Sequence, residues 1–387
     1  VYKRQVWSHG LPGFPISPHL MRIERVTLYQ VSLPLKIPME VSFGRWTHRQ
    51  SVLVRVEGEG LEGWGECPSG AFPDYNYETF ATVLYVLEHF LIPPLLDLDI
   101  TDLDDLAPTF GRIRGHPFAK NGLEWAILDW LTRAEGVSLS AKLGGVRQRV
   151  ATGVSLGIEA NMGKLFAHVD RFLDEGYQRI KLKIKPGWDL NLAHAFRERY
   201  PHTPLMLDAN SAYTLEDAPL FQAMDDYDLM MIEQPLGYDD IYFHSLLQKQ
   251  IKTPLCLDES IHSPGHARAA VGLGACGNIN IKPGRMGGPL TAVRVHDICQ
   301  AADMPVWHGG MLETGIGRVA NIAMASLPNF RLPADLSASD RYWVEDIIDP
   351  VVSLSPDGTV DVPTGPGIGV SVRLDIIEHF IEQKLEV

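Results

Sequence analysis

Five ionisable residues recur through the second half of the chain at almost constant spacing. Lys183, Asp208, Glu233, Asp258 and Lys282 stand 25, 25, 25 and 24 positions apart. Each ends or directly follows a short apolar run: Ile180-Lys181-Leu182-Lys183, Leu207-Asp208-Ala209-Asn210, Ile232-Glu233-Gln234, Leu257-Asp258-Glu259 and Ile281-Lys282-Pro283. Residues at equivalent points of a closed strand–helix repeat converge on one mouth of the ring. Three carboxylates there repel one another unless a cation joins them. An oxygen-only set suits Mg²⁺, with Mn²⁺ or another divalent cation as alternatives. Lys183 precedes the acids by one unit and Lys282 follows by one, on opposite sides of whatever the cation binds. A lysine near such a cation has its pKa pushed down, as a base acting near neutral pH requires. The plainer alternative is three unrelated surface acids at helix N-termini, with Lys181, Lys183 and Lys185 on a solvated strand.

The elements that must position these residues form a repeat. After about Gly145, short apolar runs alternate with amphipathic stretches: Ala151 to Ser155, Ile180 to Ile184, Leu205 to Leu207, Met230 to Ile232, Leu255 to Leu257, Ile279 to Ile281 and Pro305 to Trp307. Gly163 to Glu175, Leu215 to Tyr227 and Pro289 to Asp303 are helical between them. Seven or eight such units imply parallel strands with helical crossovers, hence a modified (β/α)8 barrel. Before it, 21–56 alternates as antiparallel strands, and Thr79 to Phe90 and Lys120 to Ala134 are helical, with Leu123, Ala126, Ile127 and Trp130 on one face. The expected α/β organisation is an α+β capping domain over 21–145, a catalytic barrel over 146–350, and a segment over 351–387 returning to the cap. Met21 is expected to be the natural start, with 1–20 a non-native or disordered leader.

A chain of 387 residues exceeds one small core. Its 48 acidic against 34 basic residues, net charge −14, repel nucleic acid and anionic membranes, so neither is an expected partner. Cys67, Cys256, Cys276 and Cys299 show no paired-ligand spacing, which suits reduced thiols in a cytoplasmic setting. With no His-x-His, a zinc hydrolase barrel lacks its ligands. Gly315 to Ala320 matches G-x-G-x-x-A, with Asp335 downstream, but it falls after seven repeats rather than in a first βαβ unit. A glycine turn whose helix N-terminus approaches a substrate carboxylate fits better. His308 is either a rival to Lys282 as base or, more simply, a packed strand-end histidine.

These residues lie in segments that resemble the enolase superfamily, muconate-lactonising subgroup, which uses a Lys or His base with Mg²⁺. KLKIKPGWD (181–189), LDANSAY (207–213), IEQPL (232–236), LDES (257–260), NIKPGRMGG (280–288) and GGMLETGIGRVANIAMASLPNF (309–330) resemble the o-succinylbenzoate synthase / N-succinylamino acid racemase family. The resemblance implies Asp208, Glu233 and Asp258 as metal ligands, Lys183 and Lys282 as acid/base lysines, and Lys181 as a partner lysine. It implies substrate contacts from Ser155, Asn210, Met311 and Tyr342. Ser42 to Trp46 resembles a mobile capping loop. The implied partner is a small carboxylate, bound by a homo-oligomer. The implied reaction removes the proton beside that carboxylate. Proton return to the opposite face gives racemisation; loss of a hydroxyl gives dehydration, with Lys282 remaining charged. Arg285, three residues after Lys282, is expected to support it by lowering the pKa of Lys282, or else to be tied to backbone or an acid. A dipeptide epimerase or muconate cycloisomerase would share the site. A non-catalytic binding barrel would not need both lysines.

Overall fold

The computed structural model describes residues 21–41, 44–73 and 75–387; the expected leader lies outside them. Alternating apolar residues build a four-stranded antiparallel sheet. It comprises β1 (Arg25–Val41), β2 (Gly44–Gly58), β3 (Leu61–Cys67) and the C-terminal β11 (Ile381–Glu386), in the order β11-β1-β2-β3. The strand Ile381–Glu386 thus pairs with Arg25–Val41 at the edge of this sheet.

Helix α1 (Pro117–Glu135) begins with proline at its first position and ends at Gly136 in the left-handed conformation, φ 69°. It is buried nearly all round because it joins two cores. Leu123, Ala126, Ile127 and Trp130 face the cap core, while Trp125 and Leu128 belong to the barrel core. The helix approaches β3 closely: a Cβ on Gly65 would lie 2.0 Å from the carbonyl oxygen of Gly122, and one on Gly63 would lie 2.2 Å from that of Ala126.

The repeat forms seven parallel strands in sequential order: β4 (Val154–Leu156), β5 (Ile180–Lys183), β6 (Leu205–Asp208), β7 (Met231–Glu233), β8 (Leu255–Leu257), β9 (Asn278–Ile281) and β10 (Val306–His308). The eighth position is held by single bridges, Phe330 to Val306 and Ala334 to Thr152, so residues 330–334 link the last strand to the first. Met206, Met231, Cys256 and Trp307 form a small separate cluster among these strands.

The glycine contacts generate a test. Gly65→Ala should destabilise the protein by about 1–3 kcal/mol, the usual range for overpacking a tight contact, whereas Gly272→Ala, in the helix Pro264–Leu273 with no neighbour within 4 Å, should cost less. Chemical denaturation of both variants checks this; equal losses would mean the close approach is not limiting.

Candidate active site

Strand register brings the first three of the repeat's charged residues level, and Asp258 stands two residues beyond Cys256, the partner of Glu233. Lys183 pairs with Asp208 and Asp208 with Glu233. Asp258 follows β8 and Lys282 follows β9 by one residue, so the five stand at the same, C-terminal ends of successive strands. Asp208, Glu233 and Asp258 are each at most 1% exposed.

Each acid is held by cations of the chain. Lys183 Nζ donates to Asp208 at 2.6 Å and to the Asn210 Oδ1. Lys181 Nζ lies 2.9 Å from Glu233, 2.9 Å from Asp335 and 3.3 Å from Asp208. Lys282 Nζ donates to Asp258 at 2.7 Å. Burial opposes ionisation of Asp208, yet Lys183 and Lys181 hold it well below the usual carboxylate range. Glu233 goes the other way, to about 8: burial and the neighbouring Asp208 and Asp258 outweigh Lys181. Burial would lower Lys181, but Asp335, Glu233 and Asp208 keep it firmly charged. Its ammonium is shared by three buried carboxylates.

Arg285 is tied to an acid and to backbone. Its guanidinium donates to Asp258, to the carbonyl of Ile261 at 2.8 Å, and to the carbonyl of Asn280. Arg285 and Lys282 bond to the same carboxylate, Asp258. Burial alone would lower Lys282, but Asp258, shared by both cations, holds it well above its ordinary value.

His308 is fully buried and stacks on Phe330 at 5.6 Å, with Nδ1 2.9 Å from the carbonyl oxygen of Gly309. Burial pushes it down to about 4, so it is uncharged at neutral pH: a packed histidine. The turn at Gly315 also differs from expectation. Glu66 of the cap fills the N-terminus of the helix Gly315–Ala325, accepting from the backbone of Thr314 and Gly317 and, at 2.7 Å, from the Thr314 hydroxyl. A protein carboxylate takes those donors, and Asp346 takes the amide of Gly315, so no substrate carboxylate is needed there.

Not every expected contact residue joins the acids. Asn210 does, between Lys183 and Glu259. Ser155 and Tyr342 instead line a cavity of about 340 Å³ with Leu35 and Ile37 of the cap. Met311 packs against the cap core. Of Ser42 to Trp46, Ser42 and Phe43 lie outside the described residues. Four residues that the spacing does not single out as site residues belong to the site: Tyr75, Glu259, Asn280 and Asp335. Tyr75 donates to Asp258 at 3.2 Å and accepts from Lys282 at 3.3 Å. Asn280 donates to Glu233 at 2.6 Å. Adjacency to Asp258 and position two residues before Lys282 could have flagged Glu259 and Asn280; nothing local marks Tyr75.

The donor set fits a hard divalent cation in type, number and burial. Among the described residues no group of three His, Cys, Asp or Glu is already spaced to hold a metal ion; each of the three acids bonds to a lysine instead. Buried oxygens of Glu259 and Asn280 lack a hydrogen-bond partner, so polar capacity remains in the site.

Residues 23–144 match the family described as mandelate racemase / muconate lactonizing enzyme, N-terminal domain, and 164–376 match enolase C-terminal domain-like. The chain belongs to the enolase superfamily and is an enzyme of its mandelate racemase / muconate lactonizing branch. It is 44% identical to the o-succinylbenzoate synthase of Bacillus subtilis, covering 94% of this chain and 97% of that one. It is 46% identical to the N-succinylamino acid racemase of an Amycolatopsis species, covering 94% and 99%. A crystal structure of an enolase-superfamily member from Listeria innocua superposes with a TM-score of 0.92 at 37% identity, covering 95% of this chain and 99% of that one. Among the described residues no helix is long and apolar enough to cross a membrane, and the four cysteines are free and buried.

If the three acids bind a divalent cation, Mg²⁺ should raise the melting temperature, since a ligand of the native state alone stabilises it. The rise should be lost in Asp258→Asn. An equal rise in the variant would remove Asp258 from the ligand set.

Proposed function

We propose that this enzyme removes the proton beside a carboxylate, acting as an o-succinylbenzoate synthase, an N-succinyl- or N-acylamino acid racemase, or both. The observation that carries this reading is the row Lys183–Asp208–Glu233–Asp258–Lys282, with one lysine hydrogen-bonded at each end. A Mg²⁺ held by Asp208, Glu233 and Asp258 would supply positive charge against the negative charge that builds on the substrate carboxylate as the proton leaves.

The chain's own residues do the rest. Lys183 and Lys282 hydrogen-bond to the candidate ligands Asp208 and Asp258; positive charge on those acids would lower the pKa of both lysines, and the one that has given its proton to solvent is the neutral amine that can take the α-proton. In racemisation one lysine takes the α-proton and the other returns one from the opposite face. In dehydration Lys183 takes the proton and then gives it to the departing hydroxyl on the same face, while Lys282 stays charged. The cavity beside Ser155 and Tyr342 is bordered by Lys164, Arg171 and Arg341 against one acid, Glu159, which supports an acyl arm ending in a carboxylate. A dipeptide epimerase from Enterococcus faecalis is 28% identical to this chain, well below the synthase and racemase relatives. The substrate in this reading is a small carboxylate.

The purified enzyme with Mg²⁺ should dehydrate the o-succinylbenzoate precursor, racemise N-succinyl amino acids, or do both. In deuterated solvent, Lys183→Ala and Lys282→Ala should each lose α-proton exchange with a different enantiomer. Loss with both enantiomers in one variant, at unchanged binding, would refute the two-face assignment. Inactivity toward all these substrates would refute the function.

The same assays examine Arg285. Its bonds to Asp258 and two carbonyls predict that Arg285→Gln loosens Asp258 and weakens Mg²⁺-induced thermal stabilisation along with both activities. A selective loss of exchange on the Lys282 face, with the Mg²⁺ response intact, would instead assign it to tuning that lysine.

A further inference from the structure

We infer that Glu259 is a positioning residue for Lys183, acting through the side-chain amide of Asn210; the inference rests on Lys183 serving as a base in the proposed reaction. Asn210 and Ser211 follow β6 in the left-handed region, φ 41° and 64°, a conformation asparagine tolerates better than most residues. The Asn210 backbone amide is anchored on Asp208 at 3.0 Å. Its side-chain Nδ2 donates to Glu259 Oε1 at 3.1 Å, and its Oδ1 accepts from Lys183 Nζ.

An amide has one accepting end and one donating end, and its neighbours decide which way it faces. The opposite orientation would set Nδ2 against the ammonium of Lys183 and Oδ1 against a carboxylate. Glu259 therefore selects the orientation that offers Lys183 an acceptor. The Asn210 contact remains to Lys183 when it parts from Asp208, and it restrains where the nitrogen points.

Glu259 itself is a costly residue to keep at this place. It is 7% exposed, its other oxygen is buried without a partner, and the bond from Asn210 is the hydrogen bond its carboxylate makes here. A buried acid so sparsely satisfied is disfavoured for stability alone, which argues that the orientation of Asn210 is what the position provides. Lys282 has a different arrangement, held by Asp258 and Tyr75, so disturbing Glu259 should affect one face of the substrate.

The test is α-proton exchange of each enantiomer of an N-succinyl amino acid in deuterated solvent with Mg²⁺. The enantiomer whose exchange Lys183→Ala abolishes marks the Lys183 face. Glu259→Ala should slow exchange at that face by roughly ten- to a hundredfold, the loss expected of a misplaced catalytic group. The fall should be in kcat rather than KM, with the other face near the wild-type rate. Glu259→Gln keeps a carbonyl for Asn210 Nδ2 and should recover most of the loss. Should the alanine variant fail to fold, Glu259→Asp, one methylene shorter, should show the same face-selective loss. Equal loss at both faces, no loss, or a loss matched by a weaker Mg²⁺ response would overturn the inference. If the wild-type enzyme exchanges neither enantiomer, the proposed function falls and this inference with it; if it exchanges both and the variants are unselective, only the inference falls.

Discussion

The structure depends on the burial of carboxylates at the mouth of the barrel. Asp208, Glu233, Asp258, Glu259 and Asp335 crowd into a region almost closed to water, where an unpaired charge is strongly disfavoured. Arg179, Lys181, Lys183, Lys282 and Arg285 answer them with five formal positive charges. The balance is uneven in space. Asp208 and Asp258 each meet two cations, while Glu233 sits between other acids and is pushed up to about 8. The cluster is thus best satisfied at its ends and least in the middle, the place where added positive charge has the greatest effect.

This arrangement divides the lysines by role. Lys181 lies beneath the acids, over Trp307 at 5.0 Å, and serves three carboxylates. Moving it would leave Glu233 without a cation, while Asp208 would keep Lys183 and Asp335 would keep Arg179. Lys183 and Lys282 stand at the ends of the row, each tied to one carboxylate, and can part from it with less disturbance. One side-chain type therefore serves both as a permanent counter-ion and as a candidate base, set by how many partners each nitrogen has.

The cap is part of the site rather than a separate cover. Glu66 enters the N-terminus of a barrel helix, α1 contributes opposite faces to the two cores, and Tyr75 reaches Asp258 and Lys282. A shift of the cap would disturb Tyr75 and the leucine and isoleucine that wall the cavity beside Ser155 and Tyr342.

What the sequence determined by itself was the periodic part. The 25-residue spacing of Lys183, Asp208, Glu233 and Asp258 follows from one strand, one helix and two turns per unit. Any closed ring of such units brings those positions to the same mouth, so the barrel and the row of charges could be read without coordinates. The strand register, Lys183 beside Asp208 beside Glu233, is that periodicity in space. The tertiary structure alone decided everything that departs from the repeat. Tyr75 reaches Asp258 from 183 positions away, and Glu66 reaches Thr314 across 248; no local pattern encodes such pairings. The same holds for Arg285, whose place three residues after Lys282 does not reveal that both bond to one carboxylate, Asp258. Spacing determines which residues share a level. Which partner each charge then takes depends on burial and on groups arriving from other elements, and these exist only once the chain has folded.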